Sequence, residues 1–379
     1  MHARVRRLPA RRPLAARCLI AGLATVGLAT VARRASAQPR FPAAVHGVYI
    51  PAAVAGSRPT LDSLLDRLRG TRVDAVVLDV KENGIVPYRS RVPLARAAGA
   101  VHPVIADVRA LLRAVRARGL YPIARIVCFR DPVLAAARPG WAILGADGQP
   151  WLDPTYRQRW VDPYDRRVWA YNVALAREAL ALGFGEVQWD YVRFPDVPDS
   201  TRATLAFPAA RGRAPAAAID AFVASSRRAL GAPVTVDVFG RAITESGDSE
   251  GIGQNWDSLA TVADAILPMV YPSHYVPGNF DLPAPTAAPY ELVRRAMAAA
   301  VARTRQLPRA RARIRPWLQA FTRGEPPYGG DEVRAQVRGA ADAGVDEWVL
   351  WNATGDYPDA VLAGVARERQ ATPPARAGR

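Results

Sequence analysis

Residues Trp160–Pro195 read WVDPYDRRVWAYNVALAREALALGFGEVQWDYVRFP, and this stretch contains one complete structural unit. Asp162 is placed to cap a helix whose first position is Pro163, and the helix runs to Leu182 before Gly183 ends it. A three-residue link, Gly183-Phe184-Gly185, then leads into a strand predicted over 186–191 (EVQWDY). The same alternation continues outward in both directions. Further strands are predicted at 45–50, 75–80, 121–128, 234–239, 265–270, 314–320 and 347–352, as near-continuous apolar runs suited to burial on both faces. Helices are predicted at 60–69, 104–118, 215–230, 256–263, 289–305, 330–343 and 358–369; the first carries Leu61, Leu64, Leu65 and Leu68 on one stripe. Eight strand-plus-helix units point to an α/β fold, a (β/α)8 TIM barrel built as one domain over residues 45–369.

The connections are unequal. Helix-to-strand links are a few residues long, whereas strand-to-helix links at 81–103, 129–164, 192–214, 240–255 and 271–288 are long. In such barrels the long loops gather at the C-terminal ends of the strands, where active sites are built.

Composition first suggests something else. The 379 residues hold 51 Lys+Arg against 34 Asp+Glu, a formal charge of +17 and a pI near 10.8. Residues 1–37, however, have the order of a secretory signal: an arginine-rich start, an apolar run at 18–32 (CLIAGLATVGLATVA), and Ala35-Ser36-Ala37 before Gln38. At 15 residues the run is short of the ~20 needed to span a bilayer, and retention as an N-terminal anchor is the alternative to cleavage. This segment holds eight Arg and no acid, so without it the charge falls from +17 to +9. The remaining arginines are dispersed, which argues against nucleic-acid binding. Residues 38–44 are expected to be a linker and 370–379 a disordered tail. Only Cys128 remains in the mature chain, so no intrachain disulfide is possible. There is no zinc-ligand spacing, P-loop, G-x-S-x-G or H-E-x-x-H, and neither a metal nor a cofactor is expected.

Candidate site residues stand at the ends of the strands. Strict alternation places Asp79 and Lys81 of the second strand on the inner face, where they must pair with each other or with a ligand. Lys81 is the only lysine among 51 basic residues. Asp190 and Asp237 face inward on adjacent strands, as the two carboxyl groups of glycosidic cleavage do. Strands ~4.8 Å apart suit the ~5–5.5 Å separation of retaining enzymes. Tyr271 and His274 follow the sixth strand, and Trp351 ends the eighth with a flat apolar face suited to a sugar ring.

The block at 160–195 resembles the putative glycoside hydrolase family of secreted bacterial (β/α)8-barrel proteins, related to the α-amylase-like barrels. GVYIPA at 47–52, VVLDVKENG at 76–84, ARIVCFRDP at 124–132, DVFG at 237–240 and PMVYPSHY at 268–275 extend the resemblance over most of residues 45–355. It implies a barrel acting on carbohydrate, with Asp190 as nucleophile. Asp237 is the expected acid/base, with Glu82 and Glu245 in reserve, and Asp79, Lys81, Glu82, Arg125, Arg193, Tyr271, His274 and Trp351 are expected to hold the sugar. A non-catalytic carbohydrate-binding barrel of the cell envelope is the alternative.

Overall fold

The computed structural model describes residues 41–248 and 250–367; the expected signal (1–37) and tail (370–379) lie outside them. Eight parallel strands close into a barrel: β1 (His46–Ile50), β2 (Ala75–Lys81), β3 (Tyr121–Val127), β4 (Glu186–Asp190), β5 (Val234–Phe239), β6 (Ala265–Val270), β7 (Arg313–Ile314 and Trp317–Gln319) and β8 (Trp348–Trp351). The ring closes where β8 pairs with β1, His46 opposite Trp348. The seventh strand was expected unbroken at 314–320. Pro316, which has no N–H to give to a ladder, divides it, and its second half joins β6 to β8.

Helices Arg166–Leu182, Pro215–Leu230, Pro289–Arg305 and Gly330–Asp342 pack outside the strands. The first of these starts later than the sequence suggests. Asp165, not Asp162, caps it by accepting from the Arg167 amide at 2.8 Å. Asp162 instead accepts from Tyr164 N and Ala209 N and joins two βα loops. The helix expected at 104–118 begins at Val108 behind an Asp107 cap. Ahead of it, Val101–Ile105 pairs with Val86–Tyr88 in a small parallel sheet over the barrel mouth. Of the helix expected at 358–369, Asp359–Leu362 and a following 3-10 turn are formed.

The barrel interior is apolar in its middle, with Val77, Ile123, Leu267 and Val349 packed together. Its N-terminal end is polar and paired: Arg315, fully buried, donates to Glu186 and Glu347 at 2.7 Å each. Residues 41–44, the described part of the expected linker, lie against this end, where Arg313 donates to the carbonyls of Pro42 and Ala43.

His46 opens β1 at the same end. Its Nδ1 lies 2.9 Å from Asp74 Oδ2 and its Nε2 2.8 Å from the Asp346 carbonyl, so an imidazolium donating at both nitrogens satisfies both acceptors. Burial lowers the His46 pKa, but the hydrogen bond and charge of Asp74 outweigh it and leave the value raised. The folded state therefore binds this proton more tightly than the unfolded chain. Its stabilisation is complete below about pH 6.5 and is lost as pH rises through the raised value. Thermal unfolding followed upward from about pH 6 should show stability declining over that window, and His46→Gln should flatten the decline.

Candidate active site

The C-terminal ends of the strands and their long loops enclose an open cavity of about 1600 Å³. Arg125 of β3, buried at its floor, joins three carboxylates. Its Nε and Nη2 donate to Asp190 Oδ2 at 2.9 and 2.5 Å, and its Nη1 donates to Asp79 Oδ1 at 2.7 Å and to Glu82 Oε2 at 2.5 Å. Register explains the meeting: Asp79 is level with Arg125, and Val127 with Asp190. Beneath the guanidinium, Tyr49 and Trp351 stack at 4.2 Å, and the cation lies 5.4 and 5.3 Å from their centroids. Tyr49 also donates to Asp79 Oδ2 at 2.6 Å.

Burial raises the Asp79 pKa to about 6, against the opposing pull of Arg125, and the charge of Glu82 raises it further. Asp190 accepts a third hydrogen bond, at its Oδ1 and 2.6 Å, from the amide of Tyr191. Tyr191 has φ 46°, in the left-handed region, where the chain turns out of β4. Arg130 holds this conformation, its guanidinium 3.6 Å from the Tyr191 ring centroid and donating to the Tyr191 hydroxyl.

Asp79, Glu82, Arg125, Asp190, Tyr271, His274 and Trp351 all line the cavity, as does Glu245 on the loop after β5. Tyr271 is buried in the wall, and burial together with the nearby Asp237 and Asp190 pushes its hydroxyl pKa well up. Burial, then Arg323, lowers the His274 pKa.

Three expected residues do not line it. Lys81 leaves the inner face because β2 advances two residues, Asp79 to Lys81, while β3 advances one. This bulge turns the ammonium outward to Asp131 at 2.7 Å, 5.0 Å from the ring of Tyr171 in the helix layer, with no exposed surface. Glu82 follows in a tight turn bridged to Ile85, which presents its carboxylate to the cavity. Gly84 makes that turn possible, at φ +79° and with Asp131 Oδ1 only 2.5 Å from where a Cβ would stand. Arg193 lies under the β4 loop among Trp160, Tyr191 and Phe239, donating to the Phe194 carbonyl. Asp237 faces inward as expected, yet it is 1% exposed. It accepts from Gln188 at 2.8 and 3.0 Å and from the Trp317 indole at 2.8 Å. Trp317 comes from β7, so the cover over Asp237 cannot be read from the local sequence of β5. Burial, then the charge of Asp190, raises the Asp237 pKa well above the usual range.

Residues 47–357 match a family described as "putative glycosyl hydrolase domain". The chain belongs to this family. Its barrel is that of glycoside hydrolases, and membership makes carbohydrate its substrate class. The glycoside hydrolase domain of PgaB (BpsB) from Bordetella bronchiseptica superposes with a TM-score of 0.63 at 14% identity, over 86% of this chain and 100% of that one. The α-galactosidase of Thermus thermophilus in complex with stachyose gives 0.53 at 17% identity, over 87% and 67%. Both likenesses concern the fold. A hypothetical protein from Ruminiclostridium thermocellum is 32% identical over 50% of this chain and 97% of that one, with a TM-score of 0.47. No curated protein matches the sequence.

Among the lining residues, Tyr49, Arg130 and Trp317 were not singled out from the sequence. Tyr49 and Arg130 lie inside GVYIPA and ARIVCFRDP, and the inward position of Tyr49 at the end of β1 was the available signal. The Lys81–Asp131 pair belongs to the scaffold. Asp131→Asn, which keeps the cap on Leu134 N but leaves a buried ammonium unpaired, should cost ~3–5 kcal/mol in urea unfolding. Adding Lys81→Met should recover most of that loss.

Proposed function

We propose that the protein is an exported glycoside hydrolase that cleaves glycosidic bonds of a poly- or oligosaccharide with retention. Asp190 is the nucleophile and Glu82 the acid/base. The observation that carries this reading is the pair of carboxylates on opposite edges of Arg125, both open to one large cavity. The planar guanidinium fork sets their nearest oxygens roughly 6 Å apart. That is close to the ~5–5.5 Å of retaining glycosidases and below the ~6.5–9.5 Å of inverting ones. Asp237, enclosed by Gln188 and Trp317, has no path to a glycosidic oxygen, so the acid role passes to the reserve residue. The export part rests on the signal-like order of residues 1–37.

In the first half-reaction Asp190 attacks the anomeric carbon while Glu82 protonates the departing glycosidic oxygen, leaving a glycosyl ester on Asp190. In the second, Glu82 takes a proton from water as that water attacks the same carbon, which frees Asp190 and returns the sugar with its original configuration. Asp79 shares the same Nη1 with Glu82 and, while it keeps its own proton, leaves the charge of Arg125 to Glu82 and Asp190. Arg125 orients both carboxylates, and the stacked Tyr49 and Trp351 keep its own position fixed.

A glycan-library screen with products followed by NMR tests the reading directly. Asp190→Asn should abolish hydrolysis of the responsive glycan, and an unchanged rate would exclude Asp190 as nucleophile. Glycan binding without turnover by the unaltered protein would favour a binding barrel instead. Glu82→Gln should lose ~10²–10⁴-fold on the natural glycan, the usual worth of general acid catalysis, but much less on an aryl glycoside whose leaving group needs no proton. Activity on unactivated substrate should fall above about pH 6 as Asp79 loses its proton, and Asp79→Asn should remove that limb of the profile.

A further inference from the structure

Among the described residues only four large apolar side chains are substantially exposed: Val104, Leu152, Tyr156 and Val276. Three of them, Val104 at 55%, Tyr156 at 43% and Val276 at 63%, line the cavity. They come from separate loops, Val104 from the one after β2, Tyr156 from the one after β3 and Val276 from the one after β6. In a closed eight-stranded ring β2 and β6 stand opposite each other, with β3 beside β2. The apolar contacts therefore occupy two ends of one diameter, with Asp190 of β4 on the floor between them. At about 1600 Å³ the cavity also exceeds the ~300–1,000 Å³ usual for a site that takes one small ligand.

From this placement we infer that the cavity binds a polysaccharide segment across the barrel mouth and that the enzyme cuts within the chain. Val104 and Tyr156 form one distal subsite and Val276 the other. The inference rests on the hydrolase reading above and extends it to the mode of action. Sugar rings have apolar faces and polar edges, so Tyr156 can stack on one ring while Val104 and Val276 pack against the apolar faces of others. A protein-docking surface would instead gather its apolar residues into one contiguous patch. Tyr156 is also supported from behind: Arg130 lies 5.1 Å from its ring centroid and 3.6 Å from that of Tyr191, which couples this end of the cleft to the backbone beside the nucleophile.

The test uses the Asp190→Asn variant of the full chain, titrated with cello-, malto- and chito-oligosaccharide ladders from one to eight units. In the ladder it recognises, affinity should rise at least tenfold from the disaccharide to the hexasaccharide. Tyr156→Ala and Val276→Ser, both at exposed positions, should each reduce that gain while leaving disaccharide affinity unchanged. Equal affinity along every ladder, or a gain that survives both substitutions, would overturn the inference. With the unsubstituted enzyme, a chain blocked at both ends should still be cut, whereas release of sugars only from free ends would also overturn it. Length-dependent binding without any cleavage would retain the cleft assignment and remove the hydrolase reading, so the two failures are separable.

Discussion

The site depends on one buried cation. Arg125 is enclosed at the barrel floor and satisfies carboxylates from β4, from β2 and from the turn after β2. A guanidinium suits this position because its donors lie in a rigid plane, so each carboxylate is held in direction as well as in distance. Removing water from such a cluster is costly, and the cost is met by pairing charges and by the aromatic faces of Tyr49 and Trp351. Three carboxylates around one arginine still leave an excess of negative charge. That excess, together with burial, is why Asp79 holds its proton to about pH 6.

Around this cluster the backbone departs from regular geometry twice, and both departures aim side chains. The bulge between Asp79 and Lys81 sends the lysine to the helix layer, and the turn at Gly84 then brings Glu82 back over the cavity. The left-handed Tyr191 ends β4 and sends the chain into its loop, beside the amide that serves Asp190. Neither irregularity is stabilised locally. The first is secured by Asp131 of the β3 loop, the second by Arg130 of the same loop. One segment, Arg130-Asp131, thus braces the acids of two different strands.

The barrel was legible because its signal is periodic and repeated. Apolar runs separated by amphipathic helices, short links on one side and long loops on the other identify β1 to β8 with boundary errors of at most one residue. The misplacements have local causes: Pro316 interrupts β7, Asp165 outcompetes Asp162 as a cap, and a small sheet forms within a long loop. For the site, alternation points Asp79 and Asp190 inward, and both line the cavity together with Arg125 and Trp351. It failed for Lys81, where the strand is not regular. For Asp237 the direction was right but exposure was not, since its cover arrives from β7.

The amino-acid sequence by itself therefore determined the architecture, the family and the strand ends that carry the acids, because these follow from periodicity and from motifs contiguous in the chain. Only the tertiary structure decided which acids share Arg125, which one Trp317 encloses, and which apolar residues meet across the mouth. Those outcomes depend on register, shear and loop packing between strands far apart in sequence, and no local pattern encodes them.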